Sequence, residues 1–284
     1  MHPLYRHIAT NNAVNLADYT PLFIAGKKLG CVHHAVADAL CSARLLERNN
    51  DVLFVVDEKA DCDGRSKQLQ IILHHLIEKK FIKKERFELY SVASSFKDAP
   101  VALADRALIP MLGFIAHGVH CNGYVKRKDD LHLWVGKRAS DRAVDPGKLD
   151  HMIAGGQPHG LSIMENLAKE AHEEAGAPAH VIAQAKAVGS ISYTRAQTNG
   201  IRRDALFLFD LACPDDFTPR NQDGEVEEFR LIPMNEAVRL VQDTDEFKFN
   251  VNLVLIDFFI RHGMISPDDA GYAELCAGLH TGLR

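Results

Sequence analysis

Ala154-Gly155-Gly156-Gln157-Pro158-His159-Gly160, followed by Lys169-Glu170-Ala171-His172-Glu173-Glu174-Ala175-Gly176-Ala177, reads as a glycine-rich loop leading into an acidic helix. Helix-forming residues run from Ile163 to Ala175, and Gly176 stands where a C-terminal cap is favoured. On that helix Glu170, Glu173 and Glu174 occupy positions i, i+3 and i+4, so their carboxylates project from one face and repel one another. A hard divalent cation, which prefers carboxylate oxygens and keeps waters and substrate phosphates in its shell, makes such clustering favourable. The glycines of the loop let backbone carbonyls and amides come close to a metal or a phosphate. Three glutamates alone more often make a solvated helix face. The loop preceding them is what favours a site.

Working outward, two β-rich runs, Val119 to Val125 and Leu131 to Val135, flank Lys126-Arg127-Lys128-Asp129-Asp130, whose charges suit a hairpin tip. Beyond the acidic helix, strands are predicted at Ala187 to Tyr193, Ala205 to Leu211 and Glu228 to Leu231, and helices at Asn235 to Gln242 and Asn250 to His262. Strands wrapped around one charged helix predict an α/β sandwich over residues 118–284. In residues 1–117 the pattern predicts a helix from His34 to Leu46, a strand at Val52 to Val56, a helix from Ser66 to Lys79 and a strand at Phe87 to Ala93. That is a smaller α/β unit, joined to the second without a long linker. The first unit holds 15 basic and 13 acidic residues and the second 18 and 25, so the two differ in charge sign.

Composition bounds the function. The 284 residues are 46% hydrophobic and 25% charged, which excludes collagen-like and disordered chains. A formal charge of −5 gives no general attraction for nucleic acid or an anionic membrane. Cysteines 31, 41, 62, 121, 213 and 276 form no C-x-x-C pair and are expected to be reduced thiols. The longest apolar runs, Ala107 to Ala116 and Val251 to Ile260, reach about half of a bilayer span. The opening residues lack a signal pattern, so a cytoplasmic location is the expectation. His117-Gly118-Val119-His120-Cys121 lacks a second ligand pair for a structural zinc.

The loop and helix resemble the signature of the Nudix hydrolase family, G-x5-E-x7-R-E-U-x-E-E-x-G-U, where U is a bulky aliphatic residue. Gly155 takes the first position and Glu170, Glu173, Glu174 and Gly176 the later ones, at matching intervals. The departures are Leu161 for the first glutamate, Lys169 for the arginine, and the small Ala171 and Ala177 at the two U positions. Lys169 keeps the charge of an arginine but loses its bidentate fork. The flanking Asp145-Pro146-Gly147-Lys148-Leu149-Asp150 and Asp223-Gly224-Glu225-Val226-Glu227-Glu228-Phe229 are similar to the branch related to the Nudix part of thiamin pyrophosphokinase fusions. In that branch an aliphatic residue replaces the first box glutamate, as Leu161 does, and an N-terminal domain comparable with residues 1–117 precedes it.

The resemblance implies a Nudix α/β/α sandwich preceded by a small α/β (α+β) domain, and hydrolysis of diphosphates of damaged, oxo or oxy, thiamin to the monophosphate. It implies Mg²⁺, with Mn²⁺ as a substitute, held by Glu170, Glu173, Glu174 and the backbone carbonyl of Ala154, with Glu225 as a further ligand. Glu174, or next Glu173, is the implied activator of water. Gly155 and Gly156 would approach the substrate, Arg138 would pair with phosphate, Arg202 and Arg203 are further cations, and Tyr193 would stack on a heteroaromatic ring. A family hydrolase of ADP-ribose, dinucleotides or coenzyme A derivatives, or a ligand-binding module without turnover, are the alternative readings. The partner is thus a small-molecule diphosphate, not nucleic acid or membrane, and residues 1–117 are expected to shape the substrate mouth or a homodimer contact.

Overall fold

The computed structural model describes residues 1–56, 59–128, 130–142 and 144–283. Helix α1 (Tyr5–Asn11) precedes four strands, β1 (Tyr19–Ile24), β2 (Lys27–His33), β3 (Leu46–Asn49) and β4 (Val52–Val55), with α2 (His34–Ser42) between β2 and β3. Their order is β2-β1-β4-β3, with β1 and β4 parallel. Helix α3 (Cys62–Glu78), the antiparallel pair β5 (Leu89–Val92) and β6 (Ala102–Asp105), and the short α4 (Ile109–Leu112) complete the first unit. Leu69, Ile72, Leu73 and Leu76 on α3 share a core with Val36 and Leu40 on α2 and with Leu22, Ile24, Leu53 and Val55 of the sheet.

Two boundaries differ from the sequence pattern. The helix predicted to reach Leu46 ends at Ser42, because Arg44 turns into the left-handed region (φ 59°) and Leu46 begins β3 instead. An apolar residue at helical spacing fits a buried strand position equally well. The helix predicted from Ser66 begins at Cys62, where the Asp61 side chain caps it by accepting from the Gly64 N–H at 2.8 Å.

The second unit comprises β7 (Ile115–Arg127), β8 (Asp130–Arg138), β9 (Leu149–His151), β10 (Ile153–Gly156), α5 (Ile163–Ala175), α6 (Ala179–Ile182), β11 (Lys186–Gln197), β12 (Gly200–Ala212), β13 (Val226–Pro233), α7 (Met234–Asp243), α8 (Val251–Arg261) and α9 (Tyr272–Gly278). A mixed sheet of order β11-β12-β7-β8-β13, with β10 on β7 and β9 on β8, lies between two helical layers. The charged hairpin falls between β7 and β8, Arg127 opposite Asp130; Asp129 of that tip lies outside the described residues. Alternation along β12 sends Phe209 and Leu211 to the α5 side and Leu206 and Leu208 to the α8 side. Leu4 and Ile8 pack into the α7–α8 core, so the first residues of the chain complete the second unit. No helix among the described residues is long and apolar enough to cross a membrane.

The units meet without slack. Tyr19 donates its hydroxyl to the Gly200 carbonyl at 2.9 Å, and α4 leads straight into β7 through Gly113. Gly113 has φ +65°, and a Cβ there would lie 2.2 Å from the Cys31 carbonyl oxygen. Gly113→Ala combines left-handed strain with a backbone clash that no rotamer relieves, and is expected to cost at least about 2 kcal/mol. Urea denaturation measures this; an unchanged midpoint would contradict the packing at this joint.

Candidate active site

Local sequence explains why α5 begins and ends where it does. Ser162 and Glu165 form a reciprocal capping box at its start, and Gly176 closes it at φ 58°. Leu167, Ala171 and Ala175 bury one face against Val119, Cys121 and Ile153. Alanine at positions 171 and 175 lets the helix approach β10 closely, which brings the glutamates to the Ala154–Gly156 backbone. The carboxylate missing at Leu161 is replaced by two amides: Gln157 donates to the Leu161 carbonyl at 2.7 Å, and Asn166 to the Gly156 carbonyl at 2.9 Å.

The three carboxylates occupy distinct surroundings. Glu174 is 8% exposed and accepts from the Ala154 N–H at 2.7 Å. Burial pushes its carboxyl well above the ordinary range, against the lowering effect of that amide. Glu170 is also raised by burial, which Lys169 opposes. Glu173 is the outermost, and Lys169 bridges Glu170 at 3.2 Å and Glu173 at 2.7 Å. Gly155 is required: a Cβ there would fall 2.2 Å from the Glu170 carboxyl carbon. Glu170 and Glu174 lie against the loop while Glu173 stands outside them beside Lys169, and their carboxylate oxygens are donors that suit a hard divalent cation.

Beside this loop lies a pocket lined by Ala154, Gly155 and Gly156 on one side and by Arg202, Arg203, Asp204 and Lys248 on the other. Tyr90, Arg106 and Phe114 of the first unit close it, with His117 and His120 of β7. Of its four cationic side chains, Arg106 pairs with Glu88 at 2.9 Å, Lys248 with Asp150 at 3.0 Å and Arg202 meets Asp204 at 3.5 Å, while Arg203 has no carboxylate partner among the described residues. Arg203, proposed from sequence, donates to the Gly113 carbonyl at 3.1 Å while its Nε has no partner. Sequence reasoning missed Tyr90, Arg106 and Lys248, which stand far from the box along the chain and carry no motif.

Three expected site residues are engaged elsewhere. Arg138, expected at the substrate phosphate, is buried in an ion pair with Asp150 at 2.6 Å and bonds the Val144 carbonyl at 3.0 Å. Glu225, expected as a metal ligand, pairs with Arg142 at 2.5 Å. Tyr193, expected to stack on a ring, is wholly buried in the core on the α8 side and gives its hydroxyl to Asp204. Each sits on a strand or strand edge whose side-chain direction depends on sheet register, which residue type does not reveal.

Behind the pocket, His120 and His151 share a hydrogen bond between their Nδ1 atoms at 2.9 Å, next to Asp150. These groups lie close enough together to ligate a metal. However, Arg138 and Lys248, the latter at 3.0 Å, already neutralise Asp150 and hold its carboxyl well below the ordinary range. Those ion pairs leave Asp150 little charge to offer a cation. Burial lowers His151 to about 4, so the folded chain keeps it neutral while the unfolded chain protonates it near 6.5. Stability from this group is complete above pH 6.5 and is lost as pH falls towards 4. His7 and His117 are lowered in the same way. Glu174 and Glu170, raised by burial, act in the opposite sense. The His151 contribution is therefore read as the difference between wild type and His151→Asn, a difference expected to change by about 2 kcal/mol between pH 7 and pH 5. A difference in urea midpoint that does not vary with pH would show that His151 protonates freely in the fold.

Comparison with known proteins agrees with this architecture. Residues 3–116 match a domain of unknown function, DUF4743. The chain is 38% identical over 278 residues to Nudix hydrolase 20, chloroplastic, of Arabidopsis thaliana, covering 92% of this chain and 72% of that protein. It is 43% identical over 220 residues to Nudix hydrolase 24, chloroplastic, of the same plant, covering 78% of this chain but 60%, less than two thirds, of that relative. Among solved structures, that of a C. elegans Ap4A hydrolase is similar over 53% of this chain and 99% of its own, at 14% identity and a TM-score of 0.38. At 38% identity to Nudix hydrolase 20 over 92% of this chain and 72% of that relative, the chain belongs to the Nudix hydrolases, enzymes that cleave phosphoanhydrides.

Proposed function

We propose that the protein hydrolyses the diphosphate of a thiamin-type compound, such as an oxo or oxy form, to the monophosphate and inorganic phosphate with Mg²⁺, for which Mn²⁺ substitutes. The observation that carries the reading is the placement of Glu170 against Gly155 and of Glu174 on the Ala154 N–H, on a loop whose Ala154, Gly155 and Gly156 line a pocket together with four cationic side chains. These glutamates and the Ala154 carbonyl would hold the metal. When bound, it offsets diphosphate charge and makes water more acidic. Arg203 orients the diphosphate by hydrogen bonding to phosphate oxygens. Glu174 takes the proton of the attacking water, a role suited to a carboxylate whose proton affinity burial has raised. A bond forms between water oxygen and phosphorus, and the anhydride bond breaks towards the organic monophosphate. The flanking segments around Leu149 and Glu225 support the thiamin-type substrate through their likeness to the thiamin pyrophosphokinase-related branch.

Phosphate release from oxythiamin diphosphate, with ADP-ribose assayed beside it, tests this. Metal-dependent release with ADP-ribose untouched is the expected result. Turnover of ADP-ribose alone would keep the box chemistry and discard the substrate.

A further inference from the structure

We propose that the first unit supplies part of the anion site, with Arg106 of the segment after β6 binding a phosphate of the substrate and Tyr90 of β5 holding the phosphate loop in place. The assignment rests on the pyrophosphohydrolase reading for its substrate class, an organic diphosphate, but its geometry is independent of that reading. A Cβ added at Gly156 would fall 1.7 Å from the Tyr90 hydroxyl and 3.7 Å from the Arg106 guanidinium carbon. Both first-unit side chains therefore sit directly over the glycine loop, beside Gly155 and the Glu170 carboxylate it accommodates.

The hydrogen-bonding state of these groups suits an anionic ligand. Tyr90 is 5% exposed, its hydroxyl borders the pocket, and among the described residues it has no hydrogen-bond partner. Arg106 bonds Glu88 through one nitrogen at 2.9 Å and lines the pocket with its side chain 49% exposed. Arg202 meets Asp204 only at 3.5 Å, and the buried Nε of Arg203 is unpaired. Arg106 and Arg202 both line the cavity, and Asp204 beside Arg202 favours its charged form. Guanidiniums around one cavity are satisfied together by a multiply charged oxyanion, which accepts several donors at once. The proton and bond changes of hydrolysis do not involve Arg106; it binds, and Tyr90 positions.

The test is calorimetric titration of the full chain with inorganic pyrophosphate in the absence of divalent metal. Wild type is expected to bind, and more weakly as salt is raised. Arg106→Ala should weaken binding at least about tenfold, the loss expected for one charge-assisted hydrogen bond. Arg106→Lys, which keeps the charge and the fold without the fork, should recover part of it, and Tyr90→Phe should raise KM for the diphosphate more than it lowers kcat. Equal pyrophosphate affinity in wild type and Arg106→Ala, or no binding by wild type, overturns the proposal. Arginine-dependent pyrophosphate binding by a chain that hydrolyses no diphosphate would instead sustain the anion site and discard the activity proposed above.

Discussion

Glu174→Gln is expected to lower kcat about 10²- to 10⁴-fold, the range for loss of a positioned proton acceptor, while raising the melting temperature of the metal-free chain. The two effects share one cause. Glu174 is almost fully buried, and burial works against its charged form. Glutamine has nearly the same shape, can still accept from the Ala154 N–H through its amide oxygen, and carries no charge to desolvate. A buried carboxylate with no part in the chemistry would show the gain in stability without the rate loss. Thermal melts in a chelator, read beside single-turnover phosphate release, separate the outcomes. Wild-type turnover by the variant would remove Glu174 from the chemistry and pass the role to Glu173, whose carboxylate lies further out beside Lys169.

Gly155→Ala is expected to reduce kcat about 10²-fold, as for a misplacement of about 1 Å in a catalytic group. The added methyl would stand 2.2 Å from Cδ and 2.4 Å from Cγ of Glu170, too close for either to remain. Displacing Glu170 spoils the carboxylate cluster. The loop itself is held by Gln157 and Asn166, which the methyl does not touch, so the fold should persist. Raising the Mg²⁺ concentration should restore part of the rate if metal affinity is what suffers. A variant with full activity at low Mg²⁺ would show that Glu170 has no part in holding the ion.

Much of the box was readable from local sequence. Helix α5 spans Ile163–Ala175 as its residues predict, because its signals are short-range: a cap at each end and a stripe at positions 167, 171 and 175. Strands were located with less accuracy at their ends. The runs predicted at Ala187 to Tyr193 and Ala205 to Leu211 extend to Lys186–Gln197 and Gly200–Ala212, since polar residues such as Gln197 and Arg202 join a ladder through backbone groups that composition does not mark.

The errors at Arg138 and Tyr193 have a different origin. Both residue types suit a ligand, and both are consumed by buried partners that arrive from elsewhere in the chain: Asp150 for Arg138, Asp204 and the α8-side core for Tyr193. Whether a cation is free for a substrate depends on which carboxylate the fold places beside it. That choice is made by strand register and not by spacing along the chain.

The amino-acid order was therefore sufficient for what travels within a few residues: the capped acidic helix, the glycine loop and the spacing of three carboxylates. The pocket was beyond it, because Tyr90, Arg106, Arg203 and Lys248 come from four separated segments and meet only when β10 pairs with β7, β12 lies parallel to β7, and α4 packs on β12. Local propensity acts through neighbours along the chain. A charge cluster assembled across two units exists only once their buried faces have fixed the distances between them.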